Sequence, residues 1–176
     1  NNLTIPVSTP FTLTGSATDA NGDPLTYCWE QWDIGGGSVH TWNEGATAAP
    51  GNTVPLFKSR VPKTNGSRTF PDIAVILAGY PANPPSAMGG LKGETLSPVV
   101  RQMKFRLTVR DNRAGGGGTV SSGGGGCQSS TVFTVDVSGS SPFTLIAPNG
   151  GTTYVGGSQL DVTWDVAGTN ASPFNV

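Results

Sequence analysis

Residues 101–112 read RQMKFRLTVRDN, and this run constrains the fold more than any other part of the chain. Met103, Phe105, Leu107 and Val109 take every second position, and Lys104, Arg106, Thr108 and Arg110 fill the places between. Side chains alternate across a strand, so a two-residue period buries one face and wets the other. A helix would scatter the same residues around its circumference. The pattern recurs elsewhere. Phe11 and Leu13 alternate with Thr12 and Thr14, and Leu25, Tyr27 and Trp29 with Thr26, Cys28 and Glu30. Thr131, Phe133, Val135 and Val137 alternate with Val132, Thr134 and Asp136. No window of a dozen residues shows helical periodicity free of Gly or Pro. The expected fold is therefore all-β, an antiparallel β-sandwich. Its core is expected to hold Leu13, Leu25, Tyr27, Trp29, Phe105, Leu107, Val109, Phe133 and Val135.

Gly (26) and Pro (14) make up nearly a quarter of the 176 residues, which fits short strands joined by long loops. The first domain is expected over residues 1–138, with a long Gly/Pro-rich insertion at about 34–98. Within it, the apolar run at 73–78 is expected to add a short strand to the core. Residues 139–142 read as a linker. Residues 143–176 restart the alternation with Phe143, Leu145, Leu160, Val162, Trp164 and Val166, as the truncated start of a second β-sandwich. An apolar face of that kind needs cover, and pairing with a second copy of the chain through 143–176 is the expected cover. The chain opens at Asn1 without a leader and reads as a piece of a longer precursor.

The formal net charge is -1, so no overall field favours nucleic acid. No apolar run reaches the roughly 20 residues of a membrane helix, and no membrane insertion is expected. His40 is the only histidine, which excludes H-E-x-x-H and every multi-histidine metal site. Neither a G-x-S-x-G elbow nor a phosphate loop is present. His40 near Ser38 and Glu44 lies in a Gly-rich stretch that nothing rigid positions. No enzymatic activity is expected of this chain. Cys28 and Cys127 stand alone in sequence, so zinc is not expected. They are read either as a single disulfide across the domain or as two separate thiols, and an oxidising compartment favours the bridge.

Residues 15–33 read GSATDANGDPLTYCWEQWD. Asp19, Asn21 and Asp23 offer oxygens at alternate positions, the start of a calcium loop. The sixth loop position is Pro24 where a calcium loop of that type has Gly, and a strand follows instead of a helix. The rival reading is a plain turn, because Asn21-Gly22 is a strong hairpin signal and Asp23-Pro24 opens the next strand. Asp111 could close a calcium site from a later strand. Trp29 belongs to the core. Trp32, Trp42 and Tyr80 lie in or beside the insertion, where they either stack on a sugar or peptide or pin the loop to the sandwich. Arg106 is expected opposite Glu30 across two neighbouring strands.

Asp19 to Trp29, followed by Leu107 to Asn112 and residues 131–137, resembles immunoglobulin-like modules of the PKD type. More narrowly, LTYCWEQWD, RTFP, RQMKFRLTVRDNRAGGGG and VTWDVAGT resemble the non-catalytic region downstream of the reprolysin-like zinc peptidase domain in secreted bacterial metalloproteases. The resemblance implies an extracellular accessory module working as a spacer or as a protein- or surface-binding domain, with the upstream peptidase domain as its partner. It implies no catalytic residue here, because the family's metal motif lies in the peptidase domain. It implies no required cofactor, with calcium at Asp19, Asn21, Asp23 and Asp111 as the one candidate ion. The alternative is a carbohydrate-binding or adhesion module using Trp32, Trp42 and Tyr80 on a glycan ligand.

Overall fold

A computed structural model describes residues 2–20, 22–34, 54–79, 94–113, 126–128 (through their backbone), 132–151, 153–167 and 169. The chain is all-β with several sheets. Its strands are β1 (Asn2–Pro6), β2 (Phe11–Thr14), β3 (Thr26–Gln31), β4 (Ser67–Phe70), β5 (Arg101–Arg110), β6 (Gly126–Gln128), β7 (Phe133–Ser138), β8 (Thr144–Ala147) and β9 (Thr163–Asp165). One short helix, α1 (Ile73–Leu77), precedes β5.

The large sheet runs β1-β7-β5-β3, and β6 pairs with β5 as well. Arg101 to Phe105 of β5 face β7, and Thr108 to Arg110 face β6, so β6 and β7 lie end to end along one edge of β5. The pairing is antiparallel except between β1 and β7, which run parallel from Asn2↔Thr134 to Pro6↔Ser138. That parallel strand is a departure from the purely antiparallel expectation. The second sheet is the antiparallel pair β2-β4.

Aromatic rings join the two sheets. Phe105 of β5 is fully buried, 4.9 Å from Phe70 of β4 and 5.6 Å from Phe11 of β2 between ring centroids. Leu13, Trp29, Leu107 and Val135 are buried as expected, and Tyr27, Val109 and Phe133 pack half-buried against them. Leu25 is half-buried. The alternation therefore fixed the register: a slip of one residue would have turned this whole set to water.

The connection from β2 to β3 is not a hairpin. Gly22 does adopt a positive φ of 81° in the turn, but β2 and β3 belong to different sheets, so the segment crosses from one sheet to the other. The crossing requires two chains to touch. Gly15 N donates to Gly66 O at 3.0 Å, and a Cβ on Gly66 would stand 1.9 Å from Gly15 O. Only glycine fits there. Gly66 O also accepts from Trp29 Nε1 at 3.0 Å, which satisfies the polar edge of a buried ring.

The run at 73–78 is a helix rather than a core strand. Asp72 caps it, its side chain accepting from Ala74 N at 3.0 Å, and only Val75 is buried while Ile73 and Leu77 stay exposed. Residues 54–98 instead supply Leu56, Phe57, Phe70 and Leu96 to the core. Gln31 Oε1 accepts from Leu56 N at 2.7 Å and Phe57 N at 3.1 Å, and the buried Arg101 donates to Val54 O at 2.9 Å. Asp33 faces Arg101 at 3.7 Å. Burial pushes the Asp33 carboxyl above the ordinary aspartate value, against hydrogen bonds from Gln31 and Lys104 N and the nearby Arg101 charge.

The second unit, β8-β9, is an antiparallel pair whose apolar residues are open. Leu145, Ile146, Leu160, Val162 and Trp164 are all exposed. The root of the unit is held. Phe143 N donates to Thr9 Oγ1 at 2.9 Å, and Thr9 Oγ1 donates to Val7 O at 3.1 Å. Gly139, at a φ of 79°, lies so close to Thr169 and Ala167 that an added Cβ would be 2.7 Å from Thr169 Cγ2.

Candidate functional site

The edge strand β3 does not lie open along its whole length. Tyr27 and Lys63 exchange main-chain hydrogen bonds of 2.7 and 3.0 Å, which draws residues 60–65 across the flank of the sandwich. A cleft of about 240 Å³ remains there, between Tyr27, Cys28 and Trp29 on one side and Ser67, Arg68 and Thr69 of β4 on the other. Arg60, Val61 and Lys63 overhang it, and Asp72 and Ile73 at the start of α1 close one end.

The charges of the cleft are set from behind by Glu94, which is fully buried. Its Oε1 accepts from Arg60 Nε and from Arg68 Nη2, both at 3.1 Å, and its Oε2 accepts from Asp72 N at 3.1 Å. Two guanidinium groups and a main-chain donor on one carboxylate meet the condition under which a buried charge is tolerated. Arg68 also donates to Trp29 O and to Lys58 O, and its guanidinium covers the ring of Phe70 at 4.4 Å. Arg68 thus ties β3, β4 and the segment at Lys58 together. Burial lowers its pKa, and the charge of Glu94 pulls it back up. Among the described residues, Arg60 Nη2 and Arg68 Nε are buried and have no acceptor. A buried donor without a partner costs about 1–3 kcal/mol.

Cys28 is a free thiol, and its Sγ donates to Arg60 O at 3.3 Å. The expected bridge to Cys127 is not formed, for a topological reason. Cys28 sits opposite Thr108 on one edge of β5, and Cys127 sits opposite Val109 on the other. Two strand spacings set their Cα atoms roughly 9–10 Å apart, beyond the ~7 Å a disulfide spans. Burial, and then the charge of Glu30, push the Cys28 thiol above its ordinary value. The group stays protonated at neutral pH and is a poor nucleophile.

Asp19 Oδ1 accepts from Asp23 N at 2.9 Å, a turn closed by its own side chain. Asp23 Oδ1 takes Arg113 Nη2 at 2.6 Å, and Asp111 Oδ1 accepts from Arg113 N at 3.1 Å. Asp23, with help from Asp111 and Asp19, raises the Arg113 pKa. A guanidinium thus stands where a cation would have offset the carboxylates. Among the described residues no three His, Cys, Asp or Glu side chains gather as a metal site, and Asn21 lies outside the described residues. Asn112, at a φ of 61°, accepts from Thr26 Oγ1 and donates to Pro24 O, both at 3.0 Å, and fastens the turn to the end of β5.

Trp32 is half-exposed, but the Arg106 guanidinium stacks on its ring at 3.7 Å. Arg106 lies in register with Glu30 as expected, while Glu30 Oε1 accepts from Ser59 Oγ at 2.6 Å. Trp42, Tyr80 and His40 lie outside the described residues. Among the described residues, Cys28 is the sequence-derived site residue that lines the cleft. The cleft-forming residues Arg60, Lys63, Arg68 and Glu94 carried no local signal, because their meeting depends on loops that pair far from one another in sequence. No helix among the described residues is long and apolar enough to cross a membrane. Comparison with protein-family models, with curated proteins and with solved structures finds no match.

Proposed function

We propose that the chain is a non-catalytic, extracellular β-sandwich module that fixes the orientation of its neighbours, as an accessory spacer or binding domain of a secreted metalloprotease. The observation that carries this reading is the joint between the two β units. Residues 139–142 are short, and both ends of the passage are tied: Phe143 N to the Thr9 hydroxyl, and Gly139 under Thr169. A tethered module acts by setting effective concentration, and a stiff joint restricts which geometries count. The parent protease rests on the sequence resemblance alone. The exposed face of β8-β9 belongs to the same reading as a surface for a second copy of the chain. The carbohydrate-binding alternative draws on Trp32, and a ring already stacked under Arg106 offers a sugar only its other face.

The joint is testable by residual dipolar couplings measured on both units. One alignment tensor should fit residues 2–138 and 143–169 together in the native chain. Gly139→Ala should require two tensors, because its Cβ would collide with Thr169 and because alanine disfavours a φ of 79°. Two independent tensors in the native chain would overturn the stiff-spacer reading. The turn in this reading needs no cation, so millimolar calcium or a chelator should leave the melting temperature unchanged. A clear rise with calcium would restore the acidic turn as a metal site.

A further inference from the structure

We propose that the flank cleft is a binding site for a single carboxylate, presented by an acidic side chain of an extended peptide segment. The donors are present and unspent. Arg60 uses one of its N–H groups on Glu94 and has no other acceptor among the described residues. The Lys63 ammonium has no ion partner among the described residues, while its main chain is fixed by Tyr27. Both side chains overhang the cleft.

The charge balance selects the ligand. Arg60, Lys63 and Arg68 bring three positive charges to the cleft, and Asp72 and Glu94 return two negative ones. The residue of one positive charge suits one carboxylate rather than a doubly charged phosphate. Cys28, held as the neutral thiol, adds no competing anion. The mouth is apolar as well as cationic, since Val61 and Ile73 flank it and are exposed by 84% and 53%. These side chains can cover the methylenes of a glutamate and its neighbours, which a bare anion does not offer. The cleft is elongated between Tyr27–Trp29 of β3 and Ser67–Thr69 of β4, and an extended segment is the shape such a groove accommodates.

The test uses the full chain and amide chemical shifts. Acetyl-glutamate amide at millimolar concentration should shift the amides of residues 27–29 and 67–69, and neutral acetyl-glutamine amide should not. Arg60→Gln should weaken the binding about tenfold, the scale of one charge-assisted hydrogen bond, measured below its melting transition, which the loss of the Glu94 contact should lower. Lys63→Met should weaken it less. Equal shifts from the glutamine analogue, no response to either, or full binding in Arg60→Gln would each overturn the proposal and leave a water-filled cleft. Stronger binding of inorganic phosphate than of acetyl-glutamate amide would overturn the assignment to a carboxylate. None of these outcomes bears on the stiffness of the joint, so this proposal and the spacer reading stand or fall separately.

Discussion

Phe105→Ala is expected to destabilise the first β unit by about 3–5 kcal/mol, enough to unfold many domains of this size. Phe105 links the two sheets: it stands on β5 and meets Phe11, Phe57 and Phe70 at 4.9–6.2 Å between centroids. Removing it deletes a fully buried side chain, leaves a cavity between sheets that cannot collapse together, and breaks three aromatic contacts at once. Phe11 and Phe70 are themselves stacked at 5.1 Å and hold each other apart from the vacated space. A urea titration should show a lower midpoint, with faster hydrogen exchange at the β5 amides from Arg101 to Arg110. Leu77→Ala provides the contrast, since Leu77 is exposed and should change the midpoint little. A loss below about 1 kcal/mol for Phe105→Ala would mean that the two sheets do not share this core.

How much of this was legible in advance depends on where the determining contacts lie. The strand faces of β2, β3, β5 and β7 could be read directly, because a two-residue period is local; burial follows it strictly in β2 and the first half of β5 and more loosely in β3 and β7. The apolar run at 73–78 could not. Ile-Ala-Val-Ile-Leu-Ala satisfies a strand as well as a helix, and the choice was made by Asp72 capping Ala74 N and by Glu94 taking Asp72 N from twenty-two residues away. The cysteine pairing failed for the same kind of reason. Spacing in sequence says nothing of which edge of β5 each cysteine would occupy. Asp19 and Asp23 do close a turn, though not the hairpin expected of Asn21-Gly22, and the partner that neutralises Asp23 is Arg113, ninety residues on. The cleft was the least legible feature. It is assembled by Lys63 bridging to Tyr27 and by Arg68 reaching Trp29 O, both in a stretch where short strands were expected but where the composition does not mark their places.

Glu94→Ala should cost a similar amount, about 3–5 kcal/mol, by a different route. The side chain is fully buried and answers three donors: Arg60, Arg68 and Asp72 N. Truncation leaves two guanidinium groups facing each other without the charge between them, and Arg68 cannot withdraw because it also holds Trp29 O and Lys58 O. The cap of α1 loses its acceptor in the same step. Glu94→Gln, which keeps the shape and one acceptor but not the charge, should fall between the native chain and the alanine variant. A double-mutant cycle with Arg60→Gln separates repulsion from lost bonding: if the uncompensated charge dominates, removing Arg60 should harm the Glu94→Ala background less than it harms the native chain. The vacated space has the charge and size for a carboxylate from solution. Acetate at tens of millimolar should therefore raise the melting temperature of Glu94→Ala more than that of the native chain, by binding the folded state alone. Equal responses to acetate in the two proteins, or a cost for Glu94→Ala no larger than that of an exposed ion pair at roughly 0–1 kcal/mol, would remove Glu94 as the organiser of the cleft.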